Sequence, residues 1–535
     1  MNDYSQQIRQ IHRLGRSQGI TINMVNIADT EKKGTGSGSG KNWAEEVVNT
    51  VEWLVTAFIL AFVFRAFVME AFRIPTGSMA DTLMGAHFRL RCRQCGFPYE
   101  YGFVPERYRL LKDNVPAGAM GLPPTRCPSC GFIDNTGRAE EVSNGDRILV
   151  LKCIYQFVEP KRWDVVVFKN PLEPPINFIK RMIARPGETV EIIDGDVYIN
   201  GLIARKPPKV QEELWMPVYD NDYQPALPDE GTFNGHNWKQ PFVTAGSLWK
   251  EDPANPVLFS LDSPADQVNA LAYDTKLGND FRTAYAYNDV DDYRNMPVCS
   301  DLMASFYVIC KGDEGGAGIS LSKYQTIYKA WVDNKGKMKI SRTFGGSETE
   351  LASKETALVL SGRPVRIKFA NVDHQLVFEA GSEKLSYDLG LRPGDAGERK
   401  TNIEPRVEIL GSGKLTLSHL SIVRDTYYTS GRERQGRKIL RADEGSPLTL
   451  KADQYFVLGD NSPNSEDCRW WESKGIGNNG REYDEGIVPR DYLVGKAVFV
   501  YWPGGFRPSI GQSSFPFAII PNVGKMRFIF GGRDN

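Results

Sequence analysis

Hydrophobic and polar positions divide the chain into unlike stretches. Residues 1–42 are polar and close in "KKGTGSGSGK", the composition of a flexible linker, without the basic start and immediate apolar core of a cleavable signal peptide. An apolar run follows, "VEWLVTAFILAFVFRAFVMEAF". Its uncharged part, Trp53 to Phe64, has the length of a buried core helix. The whole run reaches spanning length, with Glu52, Arg65 and Glu70 near the ends, where long side chains reach the headgroups. The reading is one transmembrane helix over 43–70. Lys32, Lys33 and Lys41 before it, against Arg65 and Arg73 after it, favour a cytoplasmic N-terminus.

Beyond residue 145 the period changes from helical to β. "DVVVFK" and "ETVEIIDGDVYING" are rich in β-branched residues, and Asp194-Gly195 supplies a hairpin turn. "YKAWVDNKGKMKISR" and "PVRIKFANVDHQLVFEAG" each read as strand, turn, strand, and such short strands at regular spacing predict a β-sandwich. From Leu448 the first style returns in "QYFVLGDNSPNSEDCRWW". The fold class is therefore mainly β: an all-β unit over 71–91, 136–207 and 445–510, interrupted by a cysteine-bearing segment at 92–135 and a β-rich domain at 208–444, with a tail at 511–535. Inserted domains have neighbouring ends, so the interrupted unit is expected to fold without residues 208–444.

Composition adds exclusions. Hydrophobic content of 41% and charged content of 24% are globular, and a net charge of -1 offers nucleic acid no basic footprint. Five histidines leave little room for multi-histidine chemistry, and eight cysteines are too few for a disulfide-built scaffold of 535 residues.

The chemistry centres on "FRIPTGSMADTL", just past the apolar run. A serine hydroxyl such as that of Ser78 needs a neighbouring base to act as nucleophile. His87 follows too soon on an extended segment to serve. Lys180, flanked by Phe178-Ile179 and Met182-Ile183, has the apolar setting that lowers an amine's pKa towards neutrality. Taken alone, it reads more plainly as a surface lysine on a strand edge.

Five segments, "IPTGSMADTL", "GDRILVLK", "RWDVVVFKNP", "FIKRMIARPGETVEI" and "VLGDNSPNSEDCRWW" with a following "GIVP", stand in the order seen in bacterial type I signal peptidases, and the chain resembles that family. The resemblance covers under half the chain. It implies Ser78 as nucleophile and Lys180 as general base, with an oxyanion hole from the Ser78 backbone N–H and the Thr76 hydroxyl. It makes Ser465 a support for the lysine, Asp467 and Arg469 a supporting charged pair, and Gly459, Asp460 and Asn461 the adjoining turn. Met79 and Arg181 also match, with packing roles. The implied reaction is removal of signal peptides from preproteins at A-x-A-like sites, without a catalytic cofactor. The implied setting is the extracytoplasmic face of the inner membrane, beside the lipid bilayer and the protein-export machinery.

Three features depart from that pattern. Cys92, Cys95, Cys127 and Cys130 form C-x2-C…C-x2-C with 31 residues between the pairs, the shape of a structural zinc ribbon with a long gap; two disulfides are the competing reading. Residues 208–444 have a laminin-G- or concanavalin-like pattern, and Cys468 replaces a usual serine. A catalytically silent cell-envelope binding protein is the alternative function; a peptidase dedicated to one secretion system is another.

Overall fold

The computed structural model describes residues 43–532 except 112–113, 117, 291–292, 294–295, 401, 430–432, 435–436, 439–440, 478–479, 481, 506–508, 511–512 and 515–519. The predicted tail 1–42 and part of 511–535 lie outside the described residues. No Gly or Pro interrupts the chain from Trp43 to Ile74, and Trp43–Val63 is an α-helix. With its last turn, Glu46–Val68 is a helix long and apolar enough to cross a membrane; its 23 residues reach about 35 Å.

Val63–Asn535 form one compact unit of their own. The fold is mainly β, as the alternating pattern predicts. Its first sheet is built from β1 (Met69–Arg73), β2 (Arg147–Leu151), β3 (Val165–Lys169), β4 (Asn177–Ala184), β5 (Gln454–Leu458), β6 (Val488–Pro489), β7 (Leu493–Trp502) and β8 (Arg527–Phe528). The order is β1-β2-β7-β3-β4-β5-β6, with β8 on β7. Both faces are covered. Val165 and Val167 of β3 join Ile148, Val150, Ala497 and Val500 on one side; Val166 and Phe168 join Met182, Val457 and Trp471 on the other. That two-sided burial is why "VVVF" is a continuous apolar run.

Residues 208–444 contribute all thirteen strands of a second sheet whose longest strands, Leu302–Lys323 and Val407–Arg424, pair antiparallel through its centre over one apolar core. The boundary with the first sheet is not a seam of loops. Val210, Leu214, Tyr428 and Ala442 are buried in the same cluster as Met182 and Val457. The β unit and residues 208–444 therefore share one core, four of whose buried side chains belong to the insert.

Candidate functional site

Ser78 sits in a turn that is pinned at both ends. Ile74 N–H still bonds the Asp146 carbonyl at 2.8 Å, but Pro75 has no N–H to give, so the pairing of β1 stops there. Ile74, Met79 and Leu83 are buried in the apolar cluster beneath, each such burial contributing about 1.5–3 kcal/mol. Ser78 is thereby held inward, 8% exposed, while Thr76 two residues earlier is exposed.

Lys180 comes from the middle of β4, in register with Val166, and is 4% exposed. Its Nζ donates to Ser78 Oγ at 2.6 Å; with the amine neutral the same contact runs from hydroxyl to nitrogen. Burial pushes the Lys180 ammonium down to about 8, against an upward pull from Asp467 and with a further downward push from Arg469. A plain surface lysine is excluded.

The turn after β5 closes over the pair. Asn461 N–H donates to the Ser78 carbonyl and its Nδ2 to the Gly77 carbonyl, both at 3.1 Å. A Cβ at Gly459 would overlap the Ser78 carbonyl and the Ser465 hydroxyl, so that position accepts no side chain. Ser465 is fully buried, two residues from the buried Asp467. Burial alone would raise the Asp467 carboxyl; the charge and hydrogen bonds of Arg469 override it and hold it below the usual carboxylate range. Arg469 also donates to Thr429 and Ser462, which makes it the hub of this turn rather than a group aimed at Ser78. Cys468 fits where serine is usual because its sulfur accepts the Val457 N–H at 3.2 Å.

Several partners at this site were not foreseen from the sequence. Asp460 forms a two-bond ion pair with Arg181, and Tyr285, Tyr287 and Asn288 of the insert reach the Ser78 turn. No local pattern marks them: the tyrosines and Asn288 fall in the stretch 208–444 that reads as an inserted β-rich domain. His87 lies outside the pair and gives its Nδ1–H to the Gly85 carbonyl at 2.8 Å.

The four spaced cysteines converge. Cys92 and Cys127 each begin the same turn, accepting from Gly96 or Gly131 N–H while donating to Phe97 or Phe132, and both glycines have positive φ, 76° and 74°. The Sγ atoms lie within 4.8 Å of one another, with Cys92–Cys130 at 3.6 Å and Cys95–Cys127 at 3.7 Å. Thiolates on a tetrahedral ion at ~2.3 Å stand ~3.8 Å apart; a disulfide needs ~2.05 Å. The donor set and its spacing fit a zinc ion with no open position.

A second polar cluster, Asp196, Asp301, Asp373 and Asp425, carries its own cations. Lys206 pairs with Asp373 and Asp425 at 2.6 and 2.7 Å, and Lys323 pairs with Asp301 and lies 4.0 Å from Asp196. It joins residues before the insert to strands within it.

Parts of the chain are similar to known proteins. The family described as "Signal peptidase, peptidase S26" matches residues 132–249 and 411–502, segments that hold Lys180 and Ser465 and leave Ser78 outside. A signal peptidase I of Aquifex aeolicus (strain VF5) is 60% identical over 47 residues, 9% of this chain and 18% of that protein. One of Rickettsia canadensis (strain McKiel) is 28% identical over 151 residues, 28% of this chain and 42% of that protein. The chain thus spans less than half the length of either relative. Among solved structures, the carbohydrate binding module CBM66 from Bacillus subtilis is similar at 9% identity and a TM-score of 0.23, over 34% of this chain and 95% of that one; a likeness that low carries no argument. The family match, the curated relatives and the ordered motifs together show a peptidase S26 domain, similar to that of signal peptidase I, within residues 132–249 and 411–502.

Proposed function

We propose that this protein is a membrane-anchored serine endopeptidase that removes signal peptides from preproteins, with Ser78 as nucleophile and Lys180 as general base. The observation that carries the reading is the buried 2.6 Å contact between Lys180 Nζ and Ser78 Oγ, beside an amine whose pKa burial has brought to about 8. An ammonium cannot take a proton; an amine half neutral near pH 8 can.

Neutral Lys180 takes the Ser78 proton as Oγ attacks the scissile carbonyl. The oxyanion is received by the Ser78 N–H and the exposed Thr76 hydroxyl, a single good donor of this kind being worth ~2.7–4 kcal/mol. Collapse breaks the C–N bond, and the Lys180 ammonium returns the proton to the leaving amine. Lys180 then takes a proton from water as it attacks the acyl-enzyme, and gives it back to Ser78 on release of the new carboxylate. Ser465 and Asp467 orient the lysine, and the Gly459-Asp460-Asn461 turn holds the backbone of Gly77 and Ser78. Small side chains at the cleavage site, A-x-A-like, are the expected substrate signature.

The helix at Glu46–Val68 anchors the chain in the lipid bilayer, with the catalytic unit on the extracytoplasmic face of the inner membrane, where preproteins leave the export machinery. Cys92, Cys95, Cys127 and Cys130 would hold zinc as a structural ion, which supplies rigidity and no catalytic step. The test is cleavage of an A-x-A preprotein in detergent. Wild type cuts at the signal junction, Ser78→Ala and Lys180→Met do not, and the double variant is no worse than either. Undiminished cleavage by Lys180→Met overturns the reading.

A further inference from the structure

Residues 281–289 leave the insert and run as an arm to the Ser78 turn. The Tyr287 ring lies against Gly77 and Gly102 so closely that a Cβ at either glycine would overlap it. Three contacts hold the ring and its backbone in place: Tyr287 OH donates to the Ala86 carbonyl at 3.0 Å, Gly102 N–H donates to the Tyr287 carbonyl at 2.9 Å, and the ring is buried with Tyr285 around Ala80. The arm grips the opposite side of the turn as well. Tyr285 OH donates to the Asp460 carbonyl at 2.8 Å, and Asn288 and Asn461 exchange side-chain amide bonds at 2.8 Å each. Asn461 is the residue that holds both the Gly77 and Ser78 carbonyls.

We infer that Tyr287 is a positioning residue for the nucleophile: its ring is the back wall against which Gly77 rests, so that the insert, and not the peptidase sheet alone, sets where Ser78 stands before Lys180. The inference rests on the serine–lysine reading for its kinetic consequence, while the placement itself is readable without catalysis. Ser78 is on a turn three residues past Pro75, beyond the last ladder hydrogen bond of β1, and no sheet pairing fixes it. Its place comes from Met79 and Leu83 below, from Asn461 on one flank and from Tyr287 on the other. A displacement of about 1 Å at a reacting atom can lower a rate ~100-fold. Removing the ring takes away the contact that fills the space between Gly77 and Gly102.

The experiment uses the full-length protein in detergent and the series Tyr287→Phe, Tyr287→Leu and Tyr287→Ala, with wild type and Ser78→Ala alongside. Phe keeps the ring over Gly77 and loses only the bond to Ala86, so its kcat is expected within about threefold of wild type. Leu and Ala are expected to lower kcat progressively, Ala by roughly 10- to 100-fold, with KM changed less than about threefold, as expected for a displaced nucleophile rather than a lost substrate contact. In the same samples, amide hydrogen exchange across residues 76–84 is expected to quicken at least tenfold in Tyr287→Ala while residues 177–184 keep wild-type protection. Wild-type kcat and wild-type exchange at 76–84 in Tyr287→Ala overturn the inference, as does equal quickening at 177–184, which marks general loosening. Should Tyr287→Ala fail to fold, Tyr287→Leu decides by the same two measurements. Absence of cleavage by wild type overturns the protease reading instead, and the exchange pattern still decides the placement.

Discussion

Arg181 and Asp460 meet across 279 residues of sequence in a two-bond ion pair, Nε to Oδ1 and Nη2 to Oδ2, each at 2.7 Å, with both side chains almost wholly buried. Arg181 follows Lys180 on β4, and Asp460 precedes the Asn461 that holds the Ser78 carbonyl. The pair therefore ties the strand of the base to the turn behind the nucleophile. A buried charge that loses its partner destabilises a fold by about 3–5 kcal/mol. Asp460→Ala is expected to lower unfolding free energy by that amount in urea titration, and Asp460→Leu combined with Arg181→Met by much less. Equal losses would show that the pair is not what holds the two elements.

Lys180 gives a prediction in each direction. Burial lowers its pKa from 10.5 to about 8, so the protonated form is the one penalised in the fold. Below pH 8 the folded chain carries the full penalty, roughly 3 kcal/mol at ~1.36 kcal/mol per pH unit, and the penalty fades as pH rises from 8 to 10.5. Lys180→Met is expected to melt higher than wild type at pH 7 while losing activity, with the gain shrinking towards pH 10. In wild type, kcat/KM is expected to rise with pH through about 8. A flat profile between pH 6 and 9 would remove Lys180 as the base.

The cysteine quartet is expected to bring about one zinc per chain, measured by atomic emission on protein purified without added chelator. Cys92→Ser or Cys130→Ser is expected to lose the ion and to lower the melting temperature, because the two knuckle turns share no other covalent tie. Chelated wild type is expected to quicken exchange at residues 92–102 and 281–289, which Gly102 and Tyr287 join. Metal-free protein whose four cysteines resist alkylation until reduced would establish disulfides instead.

Excision of residues 208–444 with a short Gly/Ser linker is expected to give insoluble or unfolded protein. Lys206 would lose Asp373 and Asp425, Asp196 would lose Lys323, and Arg469 would lose Thr429. These are buried groups, and leaving each unpaired costs about 1–5 kcal/mol, against a stability of roughly 5–15 kcal/mol for a typical fold. A cooperative melt and intact peptide cleavage by the excised chain would contradict both this and the role given to Tyr287.

Much of the site was legible in the sequence because its residues lie in short continuous motifs. Ser78 stands between a strand-ending proline and a core-anchoring Met79, Lys180 stands in an apolar strand, and Cys-x-x-Cys-Gly appears twice. Local order suffices for these, since a turn, a strand period or a knuckle is decided within five to ten residues. The mainly β class and the apolar helix were legible for the same reason. What only the tertiary structure decided is which distant segments face one another. In the sequence Arg181 reads as a packing and local-structure residue, Asp460 as part of a turn, and Tyr285, Tyr287 and Asn288 as part of an inserted domain. Each of these is ordinary on its own strand or loop, and its meaning comes from a partner 173 to 279 residues away. A strand's alternation determines that a side chain points inward; the register and docking of two sheets determine what it meets there, and neither is written in the local pattern.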